Sequence, residues 1–201
     1  VLQQECIRYN KVISKVASSL RDVRKALKGE VVMTAELEQM GTSLFNNQVP
    51  EMWAKAAYPS LKPLASWVPD LVARIAFIQK WYEDGKPPTF WISGFFFPQA
   101  FITGVMQNHA RKYQLPIDTV TYGYEMRDEA QETVEKPPED GAFIWGLYIE
   151  GARWDMGSHQ LEESRPKELF TDLPTIHLLP IANRKPVTTG FYQLPVYKTI
   201  T

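Results

Sequence analysis

The residues that could carry chemistry in this 201-residue chain are scattered rather than gathered. Phosphate binding needs glycines that let the backbone approach an anion and a lysine that supplies charge. The one Gly-Lys pair, Gly85-Lys86, runs into Pro87 with neither an upstream glycine nor a following Ser/Thr, and no G-x-G-x-x-G opens a helix. No nucleotide site is expected. His109, His159 and His177 are far apart, without C-x-x-C or H-E-x-x-H, so no metal site is expected either. A nucleophile would need a Ser or Cys presented to a base; Ile92-Ser93-Gly94 is not a G-x-S-x-G elbow, and Cys6 falls on the apolar stripe of a helix. His177, between Ile176 and Leu178 in a predicted strand, reads as a structural imidazole. The adjacent Glu162 and Glu163 read as a solvated pair rather than an acid and a base. One constellation reads positively: Arg153-Trp154-Asp155 places a guanidinium fork, an indole and a carboxylate together. These groups can pin a strand end by bidentate pairing and stacking, or form an exposed docking patch.

The elements that would position such groups follow from periodicity. Leu2, Cys6, Tyr9, Ile13, Val16, Leu20, Val23 and Leu27 recur at steps of four and three, which predicts one long helix stopped by Gly29. Packing along a globular body is favoured over a two-stranded coiled coil, because Ile7, Val12 and Ala17 widen the stripe beyond a narrow seam. Thr34 is expected to cap a second helix with Leu37, Met40 and Leu44 inside. Pro50 starts a short one carrying Met52 and Trp53. Ser60 opens another, restarted or kinked at Pro69, with Val68, Leu71, Val72, Ile75, Ile78 and Tyr82 inside until Gly85. Pro98 starts a helix running to about Tyr113. Ahead of it, Phe95, Phe96 and Phe97 cannot all share one face, so a second surface must cover at least one of them. That surface is either internal to the fold or at an interface, where large rings are enriched.

After Pro116 the period changes from 3.6 to 2. Val120, Tyr122 and Tyr124 alternate with Thr119, Thr121 and Gly123; Phe143, Trp145, Leu147 and Ile149 line a second strand, with Gly146 marking a bulge or a close backbone approach. Further strands are expected at 176–181 and 191–199, with Pro180 and Pro195 at ends, edges or bulges; residues 125–140 form an acidic loop.

Composition bounds the rest. The sequence is 44% hydrophobic and 22% charged with net charge -1, which suits a soluble globular fold and argues against a general nucleic-acid binder. A lone cysteine excludes an internal disulfide and favours a cytosolic setting. No apolar run is long enough to span a membrane, and no secretory leader is expected. Residues 1–30 hold seven Lys/Arg against three Asp/Glu, whereas 121–172 hold five against thirteen, so the two ends present opposite fields.

Several stretches together carry a family resemblance: Ala26-Leu27-Lys28-Gly29, Trp53-Ala54-Lys55 with the 58–64 run Tyr-Pro-Ser-Leu-Lys-Pro-Leu, the aromatic run from Phe90 to Phe101, Gly151 to Asp155, and Pro195 to Thr199. The sequence resembles, from end to end, the C-terminal domain of dynein heavy chains, the axonemal branch in particular. The resemblance implies an α+β fold: a helical subdomain over 1–114 and a small antiparallel β-barrel-like subdomain over 115–201. Family members usually continue into a further hairpin and strand, so the barrel is expected to lack its last strands. It also implies a non-catalytic regulatory and structural module that lies on the AAA+ motor ring and modulates ATP-driven movement along microtubules. ATP and Mg would belong to the ring of the parent heavy chain, not to this fragment. Partners would be the AAA+ modules of the same heavy chain and, in the parent complex, intermediate and light chains. Microtubules would be reached only through the parent heavy chain, with no nucleic acid or membrane. The location would be the cytoskeleton of the ciliary axoneme.

The residues expected to form the contact or the core beneath it are Arg21, Arg24 and Lys25 on the first helix with Phe95, Phe96 and Phe97; Trp91 and the Arg153, Trp154 and Asp155 cluster are further candidates for an interface or a structural motif. The rival from another class is an independent partner- or ligand-binding module with a groove lined by Trp145 and Trp154. An enzyme is the third reading, and it would require ATP turnover by these 201 residues themselves.

Overall fold

A long opening helix is what the apolar spacing demands, and the computed structural model, which describes residues 1–182, places α1 at Leu2–Leu27. It ends in paired carbonyl captures, with Gly29 N–H on Ala26 O and Glu30 N–H on Lys25 O, both at 3.0 Å. The helix packs along α2, α3 and α4. Its buried face, however, is turned from the expected one. Glu5, Tyr9, Val12, Ser19, Val23 and Ala26 lie inside, while Ile13, Leu20 and Leu27 are exposed. The reason is local: Glu5 and Ser19 are polar yet have partners waiting inside, so the positions before Cys6 and Leu20 take the core.

Thr34 caps α2 (Ala35–Phe45) by accepting the Leu37 N–H at 3.3 Å, with Met40 buried below. Helix α3 (Glu51–Ala54) follows Pro50 and delivers Trp53 to the core, where its indole N–H donates to Ser19 Oγ at 2.8 Å. Ser60 does not open the next helix. α4 (Leu64–Asp84) begins after Pro63, because a residue preceding proline is steered away from helical angles, and Pro69 is accommodated inside one unbroken helix. Its inner face is Trp67, Asp70, Leu71 and Ile78, not Val68, Val72 and Tyr82, which are exposed. Strand β1 (Thr89–Trp91) and a single 3₁₀ turn lead into α5 (Pro98–Lys112).

The core is aromatic. Trp53 stacks on Trp67 with centroids 5.9 Å apart, Phe95 on Phe101 at 4.8 Å, and Phe90 lies 4.6 Å from Phe101. Each fully buried ring of this kind contributes about 2–3 kcal/mol through removal of apolar surface from water.

The second half is built of β2 (Val120–Met126), β3 (Ala142–Trp145), β4 (Tyr148–Glu150), β5 (Ala152–Asp155), β6 (Gln160–Glu163), β7 (Phe170–Asp172) and β8 (Ile176–Ala182). A four-stranded sheet has the order β1-β3-β8-β2; β4 pairs with β7 and β5 with β6 as separate ribbons. The α+β class is as expected. Barrel describes it only loosely, since among the described residues the strands do not close. Strand β1, drawn from the first 114 residues, runs parallel to β3 in register Thr89 to Phe143. The expected strand over 191–199, Pro195 and the family's final strands lie outside the described residues.

The expected strand over 143–149 is split in two at Gly146, whose φ of +84° suits only a residue without a Cβ. A Cβ there would lie 2.3 Å from Trp91 Cδ1, so the close backbone approach read from the sequence is real. Gly146→Ala is expected to lower stability by about 2–3 kcal/mol through both strain and collision with a ring stacked on Trp145. Thermal denaturation followed by tryptophan fluorescence would check this, and an unshifted midpoint would contradict it.

Candidate docking face

Three consecutive phenylalanines at the entry to α5 are sorted by what holds their backbone. Phe95 is 2% exposed in the core, Phe96 is half-buried, and Phe97 is 45% exposed. The sorting is imposed from two sides. From α1, the buried Glu5 carboxylate accepts the N–H of Phe96 at 2.5 Å and of Phe97 at 3.2 Å, and the Tyr9 hydroxyl donates to the Gly94 carbonyl at 2.7 Å. Burial pushes the Tyr9 hydroxyl up to about 12, so it stays a donor at any ordinary pH. From α4, Arg74 donates to the Ser93 carbonyl. A carboxylate at the N-terminus of α5 also meets the positive end of the helix dipole.

Arg74 is itself held. Its Nε donates to Asp70 at 2.6 Å, its guanidinium stacks 3.9 Å above the Tyr58 ring, and it lies 5.3 Å from the Trp91 ring. Asp70 also accepts from the Tyr58 hydroxyl at 2.8 Å and from Lys62 at 2.6 Å. Burial pushes the Asp70 carboxyl up, but the hydrogen bonds from Lys62, Arg74 and Tyr58 outweigh it and hold the group below its ordinary value. Burial, with Asp70 as acceptor, raises the Tyr58 hydroxyl.

On the outside, Arg8 sits over both exposed-side rings, 5.7 Å from Phe96 and 5.1 Å from Phe97. An arginine over a half-exposed aromatic, fixed from below, has the composition of an interface anchor. Trp91 is half-buried and stacks on Trp145 at 5.6 Å and 13°, which joins the helical half to the sheet.

Arg21, Arg24 and Lys25 are exposed and form no ion pair among the described residues. They are not beside the Phe turn. Arg24 lies sixteen residues along α1 from Arg8, roughly 24 Å at the helical rise. An open groove of about 540 Å³ lies between the two along the helix, lined by Lys11, Ser14, Lys15, Ser18, Arg21 and Ala56. Arg153, Trp154 and Asp155 lie apart in β5, where Arg153 bridges Asp155 at 3.4 Å and Glu162 of β6. The Ser158 backbone N–H holds the Asp155 carboxyl below its usual value. Arg153 thus links β5 to β6 through Glu162 and pairs with Asp155 within its own strand, with no stacking on Trp154 among the described residues. Trp145 has one face covered by Trp91, and neither it nor Trp154 lines the groove along α1.

Sequence reading missed Glu5, Asp70 and Arg74, and the hydrogen-bonding roles of Tyr9 and Tyr58. A usable signal existed for the first: Glu5, Tyr9, Val12, Val16, Ser19, Val23 and Ala26 repeat at steps of four and three as regularly as the apolar set.

Comparison with known proteins gives one answer. The family model for the C-terminal domain of dynein heavy chains matches residues 1–201. The sequence is 55% identical over 201 residues to dynein axonemal heavy chain 1 of Mus musculus, covering 100% of this chain and 5% of that protein. It is 50% identical over 199 residues to dynein axonemal heavy chain 12 of Homo sapiens, with 99% and 6% covered. Against dynein axonemal heavy chain 3 of Mus musculus the figures are 49% over 199 residues, 99% and 5%. The sequence therefore spans only 5–6% of the length of these relatives.

Proposed function

This protein belongs to the family formed by the C-terminal domains of dynein heavy chains, and on that premise we propose that it is a non-catalytic regulatory and structural module. It packs on the AAA+ modules of a motor ring and modulates ATP-driven movement along microtubules in the ciliary axoneme. The observation that carries this reading is Phe97: a large ring left 45% exposed while the backbone beneath it is gripped by a buried carboxylate. A rigid exposed anchor loses little entropy on binding, so its burial goes largely into affinity.

The second support is the outer face of α1, whose cations Arg21, Arg24 and Lys25 have no acidic partner among the described residues and are free to pair across an interface. ATP and Mg belong to the parent ring in this reading, and intermediate and light chains belong to the parent complex. No helix among the described residues is long and apolar enough to cross a membrane.

A docked module biases the ring between states only by binding them with different free energies; about 1.4 kcal/mol of difference shifts their ratio tenfold. The test is ATPase rate and microtubule gliding speed of the motor polypeptide carrying Phe97→Ala, and separately Arg21→Glu, Arg24→Glu and Lys25→Glu together. Each is expected to change coupling between the two rates while leaving the fold intact, because all four side groups face solvent here. Unchanged rates in both variants would sink the reading, and unchanged rates in the charge variant alone would remove α1 from the contact.

A further inference from the structure

Two Asp-Gly dipeptides occur in the sequence, Asp84-Gly85 and Asp140-Gly141, and the fold treats them oppositely. In Asp-Gly the glycine nitrogen can attack the carboxyl group of the preceding aspartate with no Cβ in the way. The reaction needs a carboxyl free to swing in and a backbone N–H without another partner.

At Asp140 the carboxylate is tied down. It accepts from Lys112 Nζ at 2.8 Å and from the Tyr113 hydroxyl, and faces His109 Nδ1 at 3.7 Å. Its own carbonyl lies 2.9 Å from His177 Nε2. Gly141 is walled in, since even one added carbon would lie 2.1 Å from the Leu178 carbonyl oxygen.

At Asp84 all of this is missing. It is the last residue of α4, both residues are exposed, and its carboxylate has no hydrogen bond or ion pair among the described residues. Gly85, at φ +87° and ψ −171°, donates no capping bond among the described residues, and nothing among them lies within 4 Å of where a Cβ would stand. The end of a helix is also where the backbone opens most readily, so the reactive geometry is sampled often.

We propose that Asp84-Gly85 is a site of spontaneous isomerisation to isoaspartate, and hence an acceptor for carboxyl-methylating repair chemistry, whereas the fold protects Asp140-Gly141. The Gly85 nitrogen attacks Cγ of the Asp84 carboxylic acid; the amide proton and the carboxyl hydroxyl leave as water, closing a succinimide. A water molecule then opens the ring. Attack at Cγ restores aspartate, and attack at the backbone carbonyl breaks its bond to the Gly85 nitrogen, leaves a free α-carboxylate and routes the backbone through Cγ. One water is released and one is taken up, with no change of oxidation state. The product lengthens the backbone by one methylene between α4 and β1, the junction that sets Trp91 against Arg74.

The test is to age the folded polypeptide that contains this domain at physiological temperature and mildly acidic pH. Isoaspartate is then located by electron-transfer fragmentation of its peptides and by methyl transfer from S-adenosylmethionine with an isoaspartate-directed methyltransferase. Isoaspartate is expected at Asp84 in several-fold excess over Asp140, with the methyl acceptor at position 84 lost in Asp84→Glu. The denatured polypeptide is expected to react similarly at both. Lys112→Met combined with Tyr113→Phe should raise the yield at Asp140 without touching that at Asp84. Equal yields in the folded protein, an unreactive Asp84, or the same bias after denaturation would each overturn the proposal.

Discussion

Replacing Glu5 by alanine is expected to destabilise the fold by about 3 kcal/mol, because the backbone N–H groups of Phe96 and Phe97 lose the carboxylate that accepts from both and a void opens beside Tyr9. Glu5→Gln keeps a carbonyl oxygen and is expected to lose about half as much. Urea denaturation gives both values. The two variants also separate positioning from packing: in Glu5→Gln the fold survives while the turn loosens, so ring docking should weaken more than stability does. Equal stability of Glu5→Ala and the parent protein would mean the turn holds itself.

The second large effect belongs to Asp70. With Tyr58, Lys62 and Arg74 converging on one nearly buried carboxylate, Asp70→Ala leaves a guanidinium, 13% exposed, without its counter-charge and is expected to cost about 3–5 kcal/mol. The sign of the pH dependence follows from the same contacts. The folded carboxyl is held below the ordinary value of 3.8, so the unfolded state binds this proton more tightly. The stability contributed by Asp70 is therefore complete above that value and is lost as pH falls through the lower, folded one. Acid unfolding of the parent protein, measured beside Asp70→Asn, should show that the variant starts less stable and loses less on acidification. A parallel loss in both would contradict the assignment. Since Arg74 reaches from Asp70 to the Ser93 carbonyl, loss of Asp70 should also loosen the turn before Phe95.

Local signals were the ones legible in the sequence. Thr34 caps, Gly29 follows the end of α1, Pro98 opens α5 and Gly146 admits Trp91, because each depends on a residue's own backbone chemistry. The change of period near Pro116 marks the passage from helix to sheet for the same reason. What escapes a sequence reading is every place where a polar residue is buried because a distant partner satisfies it. Glu5 meets Phe96 ninety-one residues away and Trp53 meets Ser19 thirty-four away; no apolar pattern contains those partners, so the inner faces of α1 and α4 fall about one residue from where periodicity puts them. Strand β1 is invisible locally because three residues become a strand only when β3 lies beside them. At the site, the need for a second surface around three consecutive phenylalanines can be read from spacing alone. Which ring faces outward cannot, since that depends on where Glu5 anchors the turn.

That Phe97 and the cations of α1 form a docking face is tested most directly by hydroxyl-radical footprinting of the intact motor polypeptide. Phe97 is expected to be shielded to the level of the core residue Phe95, with the Arg21–Lys25 segment at the far end of α1 protected as well, while Phe45 and Tyr82, 90% and 74% exposed here, remain reactive. If Phe97 is oxidised in proportion to its 45% exposure in this structure, nothing covers it in the motor and the account fails.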